Sequence, residues 1–149
     1  MGYTNYWYQY RNFTDMEWAR IKDQFKYVSQ TMPNLYIHND GDALMLNGTG
    51  DDAHETFVLT KKRYRDDQLT KEQMTHPYTF HFCKTNGKPY DLAVWYLLTW
   101  IEHECTGGAT LDNAIEISRD RLEGKYFFDQ KGDDAQNAIQ DFTGTMESY

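Results

Sequence analysis

Lys84, Thr85, Lys88, Tyr90 and Asp91 crowd the string KTNGKPYD, which runs directly into the apolar stretch LAVWYLLTWI. That stretch reads as a helix, and a cation at a helix N-terminus is disfavoured by about 0.3–1 kcal/mol by the positive end of the dipole. An anion held between Lys88 and the free helix N–H groups reverses the sign. Lys84 and Thr85 at the end of the preceding strand, with the turn Asn86-Gly87, add donors at the same point. The chemistry implied is binding of a phosphate or carboxylate, although the GxxxxGK[ST] string of the phosphate-binding loop is absent. The plainer alternative makes Lys84 and Lys88 solvated turn residues, with Asp91 as a cap paired to one of them.

A second set of residues suits acid–base work. His54 as general base and Glu55 as its orienting carboxylate, with His81 on a neighbouring strand, would fit phosphodiester cleavage beside an anion cradle. Asp51, Asp52, His54 and Glu55 have the donor types for a divalent cation, but their spacing matches no metal motif, so no metal and no cofactor are expected. Cys83 lies two residues from His81 on one strand face, a nucleophile arrangement, against which stands the ordinary role of a strand cysteine as a small buried hydrophobe. His103 and Glu104 read as solvent-facing. The basic cluster Lys61, Lys62, Arg63 and Arg65 is diluted by Asp66, Asp67 and Glu72, which favours a solvated loop.

Aromatic residues make up 16% of the chain, enough for aromatic core layers or for a surface that stacks a planar ligand. In the first strand Tyr3 and Trp7 share one face and Tyr6 and Tyr8 the other. One face must pack under helices. The second can stack a base, and we assign Tyr3 and Trp7 to the ligand beside the lysine turn.

The elements that position these groups are read from periodicity and punctuation. Residues Tyr3 to Tyr10 form a strand, and Thr14 and Glu17 have capping-box spacing at the start of a helix. Phe13 and Trp18 sit where a hydrophobic staple belongs, and Trp18, Ile21, Phe25 and Val28 make one apolar stripe ending before Pro33. Leu35 to Ile37 and Ala43 to Leu46 flank a turn at Asn39 to Asp42, a hairpin. A polar loop from Asn47 to Glu55 leads to a strand over Thr56 to Thr60, then a charged loop over Lys61 to Thr75. Tyr78, Phe80 and Phe82 alternate with Thr79, His81 and Cys83, the pattern of a two-faced strand. After the apolar helix, Gly107-Gly108 ends it, Ala114 to Ser118 is a sixth strand, and Asp133 or Asp134 caps a last helix with Ala135, Ala138, Ile139 and Phe142 on one face.

Clustered strands with short connections predict an α+β fold: a single domain over 1–149, with an antiparallel or mixed sheet of about five to six strands and two to three helices packed on it. The formal charge of −8 argues against general nucleic-acid binding, which needs basic surface. The apolar helix is too short and too closely flanked by charge to cross a bilayer, and the N-terminal string has no basic-then-apolar leader, so a cytoplasmic protein with no membrane partner is expected. Two cysteines, Cys83 and Cys105, make no disulfide framework.

Three strings taken together, MGYTNYW at the N-terminus, HETF at 54–57 and FCKTNGKPYD at 82–91, resemble a family of uncharacterised phage and bacterial proteins that begin MGYTHYW and carry FCKT-x-x-KPYD before an apolar helix. The likeness covers roughly the first two-thirds of the chain. It departs at Asn5, where the family has His, and puts any catalytic or metal role of that His in doubt here. The resemblance implies a phage or prophage source, hence the host cytoplasm, and shared architecture; no established activity comes with it.

The expected function is binding of an anionic, nucleotide-like small molecule through Lys84, Thr85, Lys88, Tyr90, Asp91, Tyr3 and Trp7, without turnover, in the setting of sequestering a host defence signal. The alternatives are a phosphodiesterase or nuclease using His54 and Glu55, and an acidic interaction protein that binds a host protein. A homo-oligomer meeting through the aromatic faces is compatible with each.

Overall fold

In the computed structural model the described residues are 4–63, 77–106 and 113–119. They form two helices and six strands in an α+β arrangement. Tyr3, the loop from residue 64, Gly107-Gly108 and the helix expected after Asp133 lie outside the described residues.

The first strand, β1 (Thr4–Gln9), leads into α1 (Asp15–Thr31). Thr14 Oγ1 accepts from the Glu17 N–H at 3.1 Å, and the Glu17 carboxylate accepts from the Thr14 N–H at 2.9 Å, so two N–H groups at the helix start are satisfied reciprocally. The Phe13 and Trp18 rings stack 5.9 Å apart, as the staple spacing predicts. Trp18, Ile21, Phe25 and Val28 are all buried, each contributing about 1.5–3 kcal/mol of apolar burial.

The strands β2 (Leu35–Asn39), β3 (Ala43–Gly48) and β4 (Phe57–Thr60) form an antiparallel meander. A single 3-10 turn at Gly50–Asp52 lies between β3 and β4. The strand β5 (Thr79–Lys84) is followed by α2 (Asp91–Glu104), and β6 (Ile115–Arg119) closes the described chain. The strands do not share one sheet. They divide into two three-stranded sheets, β5-β1-β6 and β2-β3-β4, each antiparallel.

One core joins the two sheets. Trp7 of β1 meets the Phe57 ring of β4 edge-on at 5.1 Å, and Phe57 stacks on Phe25 of α1 at 6.1 Å. The helix α2 packs against β6, β1 and α1. Its residues Ala93 to Ile101 are all buried, as expected of a helix apolar on every side. Among the described residues no helix is long and apolar enough to cross a membrane.

Candidate functional site

The turn between β5 and α2 is built by its left-handed pair. Asn86 has φ 54° and Gly87 φ 69°, and the Lys88 N–H donates to the Thr85 carbonyl at 3.1 Å, the geometry of a tight two-residue reversal. Pro89 follows in a further turn, and regular helix starts at Asp91. The Asp91 N–H donates to the Lys88 carbonyl at 2.9 Å, Leu92 to Pro89 at 3.2 Å and Val94 to Tyr90 at 3.1 Å. These donors, which an anion cradle at the helix start would draw on, are already taken inside the turn.

Asp91 itself is held from three sides. Asn5 Nδ2 donates to Oδ1 at 2.8 Å, Thr85 Oγ1 donates to the same oxygen at 2.6 Å, and Arg119 pairs with Oδ2. The Arg119 guanidinium also lies over the Trp95 ring at 4.6 Å. Asp91 therefore ties β1, β6 and the turn to the start of α2, and its ionic partner is Arg119 rather than Lys84 or Lys88. Asn5 is fully buried. Asn5 therefore supports Asp91 from inside the fold.

Glu55 is a strut. Its Oε1 accepts from the Lys84 N–H at 3.0 Å, and its own N–H donates to the Lys84 carbonyl at 3.3 Å. Tyr90, buried to 1% exposure, donates its hydroxyl to the Glu55 carbonyl at 2.5 Å. Burial, then the nearby Cys83, Asp91 and Glu55, push the Tyr90 phenol well above its usual range, which keeps it a neutral donor. No hydrogen bond joins the His54 ring to Glu55 or to any other described residue, and His54 is exposed. The hydrolase reading has a free imidazole but no oriented one. Among the described residues no three His, Cys, Asp or Glu groups could hold a metal ion.

Cys83 is fully buried, and burial followed by the Glu55 and Asp91 charges pushes its thiol up to about 12. Cys105 is equally closed off, and burial, then Glu17, takes it to about 12. Neither is a thiolate near neutral pH, so neither is a poised nucleophile.

Trp7 requires a correction. It is 1% exposed, stacked on His81 at 5.4 Å and edge-on to Phe57, so no ring face is open to a ligand. The open face of β1 is the opposite one, with Tyr6 and Tyr8, and register places Tyr6 opposite Phe82 and Tyr8 opposite Phe80. Tyr6 and Phe80 stack at 5.9 Å, Tyr8 and Phe80 meet at 5.3 Å, Tyr8 and Tyr78 at 5.0 Å, and Phe80 and Phe82 at 6.0 Å. Phe80 is 47% exposed and Phe82 48%.

Lys84 stands at the end of this row. It pairs in register with Thr4, is exposed, and holds Nζ 5.8 Å from the centre of the Phe82 ring. Lys88 is half-buried. Lys84 therefore stands beside Phe82 and Phe80, not on the face of Trp7 to which the sequence assigns the ligand; the shared parity of Tyr78, Phe80, Phe82 and Lys84 was the available signal. A cavity of about 160 Å³ lies near Met32, Asn34, Gly48, Asp52 and Tyr90, but its one charged lining residue is the acidic Asp52, which does not suit an anion.

Comparison of the chain with known protein families, with curated proteins and with solved structures finds no match.

Proposed function

We propose that this protein binds a small anionic ligand carrying a planar ring, nucleotide-like in chemistry, on the outer face of the β5-β1-β6 sheet. The observation that supports it is the placement of the Lys84 ammonium at the end of an exposed aromatic row headed by Phe82. Stacking on such rings is worth about 1–3 kcal/mol per base. The exposed cation supplies the anion contact that aromatic rings cannot. Lys88, half-buried on the following turn, is the second cation near in sequence. Thr85, Tyr90 and Asp91 act in this reading by fixing the turn rather than by touching the ligand.

Binding needs no turnover. The setting, a phage-type protein in the host cytoplasm sequestering a defence signal, rests on the family resemblance.

The test is incubation of the purified chain with a mixed pool of nucleotides, including cyclic and ADP-ribose-type species, followed by washing, denaturation and mass identification of what is retained. An intact compound retained by the native chain, and lost from Phe82→Ala and Lys84→Ala, is the expected result. Retention unchanged in both variants, or no retention at all, sinks the reading.

A further inference from the structure

The open sheet face carries opposite charges at opposite ends. Lys84 sits at the level of Thr4 on one side of β1, and Glu116 sits at the level of Tyr8 on the other. The two are four register positions apart, about 14 Å along the strands, and two strand spacings apart, about 10 Å across them. Between them lie Tyr6, Tyr8, Phe80 and Phe82. Glu116 is exposed, and its Oε2 accepts from the Tyr10 hydroxyl at 3.1 Å. That bond fixes the carboxylate at the rim of the face and leaves Oε1, and the second lone pair of Oε2, to accept from a ligand. An ionised carboxylate accepts hydrogen bonds and donates none, so it repels phosphate and attracts N–H groups.

We propose that the face orients its ligand, with phosphate at Lys84 and the hydrogen-bonding edge of the base at Glu116, and that it thereby selects guanine nucleotides. This rests on the ligand-binding reading above. Guanine presents two adjacent donors, the ring N–H and the 2-amino group, which match the two oxygens of a carboxylate. Adenine presents an amino donor beside a ring acceptor, and hypoxanthine keeps the ring N–H without the amino group. The order of affinity is therefore GMP, then IMP, then AMP.

Isothermal titration of the full chain with GMP, IMP and AMP tests this, alongside Glu116→Gln. That side chain is exposed and the amide oxygen can still accept from Tyr10, so the variant keeps the fold. Charge-assisted hydrogen bonds of this kind predict GMP tighter than AMP by about tenfold, and Glu116→Gln brings GMP down to the level of AMP. Equal binding of the three nucleotides by the native chain, or a guanine preference that survives in Glu116→Gln, overturns the orientation and leaves nucleotide binding standing. Failure of all three to bind overturns the guanine selection, while the ligand-binding reading stands or falls by retention from the mixed pool.

Discussion

The Asn5 amide donates to Asp91 Oδ1 at 2.8 Å, a bond between residues 86 positions apart that fixes the middle strand of one sheet to the first residue of α2. Thr85 and Arg119 converge on the same carboxylate. The turn carrying Lys88 is thus held by a half-buried acidic hub.

Removing that hub breaks its ion pair. The Arg119 side chain is 6% exposed, so Asp91→Ala takes a carboxylate away from a largely buried guanidinium. The expected loss is about 3 kcal/mol, seen as a fall of roughly 6–12 °C in melting temperature. A loss under about 1 kcal/mol in urea unfolding would mean that Arg119 finds water or another partner, and the hub would lose its structural role.

Glu17 makes stability acid-sensitive. Partial burial raises its pKa, but the Arg11 guanidinium at 2.7 and 2.8 Å and the Thr14 N–H outweigh this and hold it below the ordinary 4.5. A depressed folded-state value means the stabilisation is present above the unfolded pKa and is lost as pH falls through the folded one. The urea midpoint is expected to drop below about pH 4.5, and to drop less in Glu17→Gln, which keeps the cap without the titration. Identical pH profiles for the two proteins would remove Glu17 as the cause.

Both thiols should be silent in the folded chain. With Cys83 and Cys105 each pushed up to about 12 and closed to solvent, iodoacetamide near pH 8 should label neither until the protein is unfolded. Mass spectrometry reads the outcome directly. Rapid addition of one label to the native protein would show an accessible thiolate and revive Cys83 as a reacting group.

A methyl group at position 48 has no room. A Cβ built on Gly48 stands 2.1 Å from the Asp52 carbonyl oxygen, a backbone atom. Gly48→Ala must displace the 3-10 turn, at a cost of about 1–3 kcal/mol. Hydrogen exchange should show faster opening at Asp52 and Ala53, whose N–H groups bond to Thr49 and Gly50. Native-like protection there would show that the turn yields without cost.

Much of this architecture was legible in sequence because the signals were local. The capping box at Thr14 and Glu17, the staple of Phe13 on Trp18, the Asn86-Gly87 reversal and the all-apolar helix depend on neighbours within a turn or two. The division into two sheets was not legible, since strand periodicity names the faces and not the partner. The misplacement of Trp7 has its own reason. The core-facing side of β1 reads Asn5, Trp7, Gln9, while the other side reads Thr4, Tyr6, Tyr8, of which Tyr6 and Tyr8 are part-exposed, so the buried side carries the two amides. Polarity points the wrong way along that strand, because the amide nitrogens of Asn5 and Gln9 find distant acceptors: Asp91 for the first, the Thr60 carbonyl for the second. The site was half visible for the same reason. KTNGKPYD marked the turn, but the aromatic row beside Lys84 exists only once β1 and β5 pair.

That pairing also sets a schedule for synthesis. In β1, Asn5 is partnered by Cys83 and Arg119, both made long after it. At ordinary ribosomal speed the roughly 110 intervening residues take about 5–20 s to emerge. The meander β2-β3-β4 needs only near neighbours and can settle first. Through that interval the first strand, aromatic on one side and lined with amides around a tryptophan on the other, waits with both edges open. Unpaired strand edges invite association with other chains, so the wait for β5 and β6 is the interval in which β1 is open to mispairing.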